Sequence, residues 1–360
     1  MQTKVNKKSF NGQSFFIGID CHKKSWKVTI LSDHYEHKTM SQNPDPQVLT
    51  SYLTRHFPGA QYQAVYEAGF NGFKSCRELN SLGVDCVLIH PADVPTSQKE
   101  KLQKTDKADS RKLARMLRGK EFEPIDIPDP QLEADRALVR QRFRLMKDVS
   151  RIKNRVKSLL FQFGIDIPER FTSAQTRYWS KVYINWLKEL DIGLDSFKYT
   201  LENYIRIGEM LRKELLMVNR QVRRLAESER YNTNYRLLLS MPGVGLITAI
   251  TFLVQIGDIR RFERLDDLCN YVGLVPRMYG TGDKMQTGKM TKRGRKELKI
   301  MLIEAAWDAI RLDPAMMLKF NELTKRMNKN KAIIRIARKM LSRMRYILKH
   351  QKEYELGVLA

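Results

Sequence analysis

Cysteine is scarce in this sequence. The four present, Cys21, Cys76, Cys86 and Cys269, have no C-x-x-C spacing. That excludes a disulfide framework and a thiolate zinc site. Histidine is sparse too, with six in 360 residues. A metal centre would then rest on carboxylates and take a hard ion such as magnesium. No run of about 18 apolar residues is present to span a bilayer. The opening MQTKVNKKSFNG is a short basic tail rather than an apolar signal segment. The chain is therefore expected in the cytoplasm, with no membrane partner. Negative charge is also short, with 40 Asp and Glu against 65 Lys and Arg, a net charge of +25. Such a balance points to a polyanion, because each cation that meets a phosphate releases counterions. Apolar residues make up 42% of the chain, enough for folded cores and against wholesale disorder.

The first third alternates strands and helices. FFIGI (15–19) and WKVTIL (26–31) predict a hairpin, with a third strand near 35–40. Helix is expected over 48–56 and 72–82, and strand over 62–67 and 84–89. A hairpin followed by β-α-β is the order of the RuvC/ribonuclease H-like class, an analogy of fold alone. The Pro-rich, acidic KEFEPIDIPDP (120–130) reads as a linker.

Beyond it the texture becomes mostly α. Leu145, Val149, Ile152, Val156, Leu159 and Phe163 form one heptad seam. Leu201, Tyr204, Leu211, Leu215, Val218, Val222 and Leu225 form another, with Gly208 in a weak position. These coiled-coil helices either pair within the chain or zip two chains together. Met241-Pro242-Gly243-Val244-Gly245 between apolar helices has a helix-hairpin-helix pattern, whose N–H groups suit a phosphate. The same turn also serves as an ordinary helix connection. Residues 273–294 read as a long, Gly-rich basic loop, followed by helices over 296–311 and 332–350. Between Lys284 and Lys349 there are 19 Lys or Arg against 5 Asp or Glu, so this window alone carries +14. The expected domains are 1–125 (α/β), 126–230 (coiled coil), 231–318 (with the helix-hairpin-helix) and 319–360 (basic helix).

Four carboxylates stand out by position. Asp20 ends the first strand and Glu67 ends a central one. Asp106 and Asp109 stand three apart at a helix start, on one face. Strand-end carboxylates of an open α/β sheet look into one crevice. Four of them there repel one another unless divalent cations neutralise them, and such cations act on phosphodiesters. The plainer reading of Asp106 and Asp109 is that they complement a helix dipole. Arg277, Lys284, Lys289, Lys292, Arg293 and Arg295 surround the basic loop. They are either phosphate clamps or a solvated face.

Three segments in order, FIGIDCHKKSWKVTIL, VYEAGFNGF and TDKADSRKLARML, resemble the N-terminal domain of the DEDD insertion-sequence transposases. These are relatives of the Piv-type DNA invertases, with bridge-RNA-guided recombinases among them. The stretch from LLLSMPGVG to EAAWDAIR resembles that family's C-terminal domain, so the resemblance covers nearly the whole chain. It implies a RuvC-like domain holding Mg2+ on Asp20, Glu67, Asp106 and Asp109. It also implies a hydroxyl nucleophile from the second domain, completing a composite site and forming a covalent protein–DNA bond. Donor and target DNA, a non-coding bridge RNA and a homo-dimer or homo-tetramer follow as partners.

The family's nucleophile is a serine, in a Tyr-x-Ser-Gly context. The matching residue here is Thr281, and no serine lies between Ser240 and Ser342. Threonine hydroxyls act as nucleophiles, although the extra methyl restricts χ1. Thr281 thus replaces the serine, marks a slowed or inactive copy, or is a turn residue with Thr287 or Thr291 in its place. Two other readings of the whole chain stay open. One is a metal-dependent resolvase or nuclease without a covalent intermediate. The other is a domesticated, non-catalytic nucleic-acid-binding protein.

Overall fold

Alternation along the first strand decides the layering of the N-terminal unit. In β1 (Ser14–Cys21), Phe15, Ile17 and Ile19 point to one side of the sheet, and Phe16, Gly18 and Asp20 to the other. The computed structural model describes residues 9–95, 106–171, 179–281 and 284–357, without the side chains of Lys107 and residues 278–287. The chain forms two units, residues 1–129 and 130–360.

In the first unit β1 pairs antiparallel with β2 (Trp26–Ser32), which pairs antiparallel with β3 (Glu36–Gln42). On its other side β1 runs parallel to β4 (Gln61–Glu67), and β4 parallel to β5 (Val84–Ile89). The sheet order is β3-β2-β1-β4-β5. One face buries Phe15, Ile17, Ile19, Trp26, Val28 and Ile30 together with Leu49 and Leu53 of α1 (Pro46–His56) and Leu79 of α2 (Lys74–Ser81). Helix α1 starts two residues before the expected Val48. Asp45 accepts from the Gln47 N–H at 2.8 Å, and Pro46 occupies the first turn.

The opposite face packs Phe16, Leu31 and Val65 against Leu113, Ala114 and Leu117 of α3 (Asp106–Gly119). The segment expected as a linker is tied to this unit instead. The Ile125 N–H donates to the Leu88 carbonyl at 2.8 Å, and Arg77 donates to the Pro128 carbonyl at 2.8 Å. Ile125 and Ile127 pack on the α1/α2 face. Its prolines and acidic residues hid two apolar anchors.

The second unit is mostly helical. The 33-residue α4 (Pro130–Gln162) and the 32-residue α6 (Asp195–Ala226) pack together. Ile152, Val156 and Leu160 meet Phe197, Leu201 and Ile205, while Val139 shares a core with Val222 and Ala226, so the two run antiparallel. The seams thus pair within the chain. Helix α5 (Lys181–Glu189) caps this end through Tyr183, Ile184 and Leu187. The weak seam position has a use. A Cβ on Gly208 would lie 2.2 Å from the Trp179 ring, so the glycine admits a buried indole.

Helix α7 (Asn232–Leu239) leads through the Pro-Gly turn to α8 (Leu246–Ile256), in which every residue from Ala249 to Ile256 is buried. Around α8 stand α9 (Leu265–Val272), α10 (Lys296–Leu312), α11 (Pro314–Thr324) and α12 (Lys329–His350). Helix α11 went unread in the sequence, although Asp313 caps it on the Ala315 N–H at 2.9 Å.

The expected loop at 273–294 contains a hairpin, β6 (Pro276–Thr281) against β7 (Lys284–Met290). Glycine and lysine occupy the places where alternating apolar residues would have signalled strands. Gly273 ends α9 at φ +87°, and a Cβ there would lie 2.4 Å from the Arg293 carbonyl oxygen. One on Gly294, at φ +98°, would lie 2.6 Å from the Gly273 nitrogen. The two backbones cross at the hairpin base only because both positions lack side chains.

Candidate functional site

Parallel pairing of β1 and β4 runs up to Ile19 opposite Tyr66. Asp20 and Glu67 are the next residues on these strands, so they share one sheet edge about 4.8 Å apart by strand spacing. Period-two alternation turns both toward α3. Val65 on β4 and Phe16 on β1, each an even step away, belong to the α3 cluster. Asp106 and Asp109 occupy the first turn of α3.

Helix α3 sits very close to the sheet. A Cβ on Gly18 would lie 2.0 Å from the Ser110 carbonyl oxygen and 2.4 Å from the Ala114 nitrogen. Ser110 Oγ and Thr29 Oγ1 are hydrogen-bonded at 2.9 Å inside that contact. Arg111 Nε donates to Glu36 Oε1 at 2.9 Å, tying the helix to the β3 edge. The four carboxylates are thus placed by strand register, by helix phase and by one missing side chain.

The polar atoms of Asp20, His22 and Asp106 lie within 4.8 Å of one another, a set able to hold a metal ion. His22 Nε2 is 3.2 Å from Asp20 Oδ2 and 3.5 Å from Asp106 Oδ2. Burial pushes the Asp20 carboxyl above its ordinary range. The charges of Asp106 and Asp109 push it further, and His22 pulls it back. Cys21 takes no part as a thiolate, since burial pushes its thiol up to about 12.

His22 is the residue that sequence reading missed. It follows Asp20 by two in Asp-Cys-His, but it lies beyond the strand, where alternation no longer predicts direction. The expectation of carboxylates alone therefore gains an imidazole.

The basic residues fall in the second unit. Arg277, Lys289, Lys292 and Arg293 are exposed and Arg295 is half-buried. Thr281 ends β6 with its backbone opposite Lys284. The side chains of Thr281 and Lys284 lie outside the described residues. In the Pro-Gly turn, Gly243 (φ +81°) is pressed on α10, where a Cβ would lie 2.3 Å from the Ala305 carbonyl oxygen. Gly243, Val244 and Gly245 line an open cleft of about 470 Å³ with Asp308, Arg311 and Leu312. Among the described residues no helix is long and apolar enough to cross a membrane.

Two family models match the chain. Residues 17–165 match a transposase model, the DEDD domain of the IS110 type, and residues 235–322 match the transposase IS116/IS110/IS902 family. A Sinorhizobium fredii protein, y4qE, is 29% identical over 242 residues, 67% of this chain, which spans 57% of that relative's length. The transposase for insertion sequence element IS1533 of Leptospira borgpetersenii is 26% identical over 303 residues, 81% of this chain and 84% of its own. The transposase for insertion sequence element IS1111A of Coxiella burnetii is 26% identical over 292 residues, 78% of this chain and 76% of its own. With two models of this type matching one after the other along the chain, the chain belongs to the IS116/IS110/IS902 family of insertion-sequence transposases.

Proposed function

We propose that the protein cuts and rejoins DNA by phosphodiester transfer, with Mg2+ held by Asp20, Glu67, Asp106 and Asp109 and the Thr281 hydroxyl as nucleophile. The observation that carries this reading is the gathering of carboxylates at one edge of the β1/β4 pair, beneath the first turn of α3. The donor set fits a divalent ion. Its carboxylate oxygens are hard ligands, and burial, with the charges of Asp106 and Asp109 beside it, raises Asp20. When bound, the ion supplies charge neutralisation around a phosphodiester. In the transfer itself, the Thr281 oxygen bonds to phosphorus as the bond to the departing sugar oxygen breaks. The threonine proton is lost, and the departing oxygen gains one. Arg277, Lys284, Lys289, Lys292, Arg293 and Arg295 hold the flanking phosphates.

The strand order supports a RuvC-like reading of residues 1–125. With the seams paired within the chain, residues 126–230 serve assembly into a dimer or tetramer through exposed apolar residues such as Met210, Leu216 and Met217 of α6. Residues 231–318, with a helix-hairpin-helix, and the basic 319–360 engage donor and target DNA and a bridge RNA, in the bacterial cytoplasm.

The test is plasmid-to-plasmid recombination in cells, with the non-coding flank of the native locus as donor. Wild type should give recombinants and Asp106→Ala only background. Recombinants at wild-type frequency from Asp106→Ala would overturn the metal-site assignment. A second reading, hydrolytic cleavage without a covalent step, is favoured by threonine at the serine position. Cleavage with no denaturation-resistant protein–DNA adduct would establish it instead.

The imidazole gives a separate prediction. By calorimetric titration, His22→Ala should weaken Mn2+ binding by about tenfold and Mg2+ binding by no more than about twofold, since nitrogen ligands favour the later metal. Equal losses for both ions would show that His22 only orients Asp20.

A further inference from the structure

The C-terminal end of α8 is surrounded by guanidinium groups. Arg136, 3% exposed, donates through Nε to the Val254 carbonyl at 3.0 Å and through Nη2 to the Gln255 carbonyl at 3.2 Å. Arg261 Nε donates to the Ile256 carbonyl at 3.1 Å. The Tyr271 hydroxyl donates to the Gln255 carbonyl at 2.9 Å. These three side chains answer the carbonyls that a helix end leaves unsatisfied, and the two cations suit the negative end of its dipole. Their positive charge has a structural explanation.

Among the described residues, two further arginines in the same cluster, Arg140 and Arg295, answer no helix carbonyl. The Arg295 guanidinium lies 4.9 Å from the Tyr271 ring centre, and its Nη2 donates to the Tyr271 hydroxyl at 2.9 Å. Tyr271, already shared with Arg261 at 4.6 Å, thus fixes the direction of Arg295. Arg140 lies one turn along α4 from Arg136, on the same helix face, and Arg295 is the charged group that affects it most. Among the described residues, neither Arg140 nor Arg295 has a carboxylate at ion-pair distance. The nearby Glu297 is taken by Lys147 at 3.2 Å. Arg140 is exposed and Arg295 half-buried, so an anion from solution can reach both and offset their like charge.

We propose that Arg140 and Arg295 form an anion site for one phosphodiester group of a nucleic-acid backbone, pre-oriented by Tyr271. This rests on the reading of the protein as a nucleic-acid enzyme and adds to the basic loop a contact on α4. Guanidinium forks match phosphate oxygens. The surplus of positive charge in the second unit makes a polyanion the complementary partner. Duplex DNA and folded RNA present the same group, and the experiment separates them.

Binding of the full-length protein to a labelled 30-base-pair DNA and to an RNA hairpin of similar length is measured by anisotropy across a salt series. The variants are Arg140→Gln and, as a charge control on the exposed side of α1, Arg55→Gln. One lost phosphate contact should lower the slope of log affinity against log salt by about 0.9 on duplex DNA. Arg140→Gln should show such a drop on the nucleic acid that occupies the site, with Arg55→Gln at the wild-type slope. A drop on DNA alone or RNA alone identifies the source, and a drop on both means a shared backbone contact. Wild-type slopes for Arg140→Gln on both ligands, or an equal drop for Arg55→Gln, would overturn the site. Wild type that binds neither ligand would overturn the broader functional reading, and the site with it.

Discussion

Thr281→Ala is expected to lower strand transfer by at least about 10³-fold and to eliminate any denaturation-resistant protein–DNA adduct. Affinity for the same DNA should stay within about twofold, because a threonine hydroxyl adds little to a backbone held by charge. Thr281→Ser should retain the adduct and form it several-fold faster. Removing the methyl frees χ1 and opens the line of attack on phosphorus. The pair of variants is informative together. An inactive wild type rescued by serine would identify a copy whose chemistry has drifted. Full cleavage by the alanine variant would remove Thr281 from the mechanism and direct attention to Thr287 or Thr291.

The second large effect is expected far from any hydroxyl. Gly18→Ala places a methyl 2.0 Å from the Ser110 carbonyl oxygen, and a helix backbone cannot yield as a side-chain end would. Helix α3 must move off the sheet, at a cost of about 3 kcal/mol by the usual scale for overpacking. Its first turn carries Asp106 and Asp109, so their approach to Asp20 is lost with it. Wild type should melt at a higher temperature in Mg2+ than in chelator. Gly18→Ala should melt lower than wild type and show no such difference. Thr29→Val provides the comparison. It removes the hydroxyl bonds to Ser110 and Thr39, worth about 1 kcal/mol each, and should keep the response to the ion. A metal response preserved in Gly18→Ala would show that the carboxylates do not depend on the seating of α3.

Much of this site is legible in the sequence because two simple periods locate it. Strand alternation puts Asp20 with Phe16 and Glu67 with Val65, and helix phase puts Asp106 with Asp109. The apolar runs of β1, β2, β4 and β5 gave those strands to within a residue or two. What stayed hidden depends on relations between segments. His22 lies past the strand end, where no period applies. Gly18 looks like any small strand residue until α3 is laid across it. The β6–β7 hairpin has glycine and lysine where a strand would show valine or isoleucine. The heptad seams show which faces of α4 and α6 are apolar, but only the packing of Ile152 and Val156 on Leu201 and Ile205 shows what they meet. Tyr271 and its arginines come from three separate stretches of chain, and no local pattern announces them.

The crossing of Gly273 and Gly294 has a mechanical consequence. From Pro276 to Thr281 the strand extends roughly 17 Å at the ordinary rise per residue, so the hairpin is a lever arm with its fulcrum beside that crossing. A rotation of about 3° at such a fulcrum displaces the far end by roughly 1 Å, which is enough to spoil an aligned attack by about 10²-fold. Below, the fulcrum is braced by the Thr291 N–H on the Val275 carbonyl at 3.0 Å and by Lys299 Nζ on the Thr291 carbonyl at 2.9 Å. With Thr281 in its proposed role, the angular precision of the reaction depends on the place where two backbones touch, at the opposite end of the strand from the reacting hydroxyl.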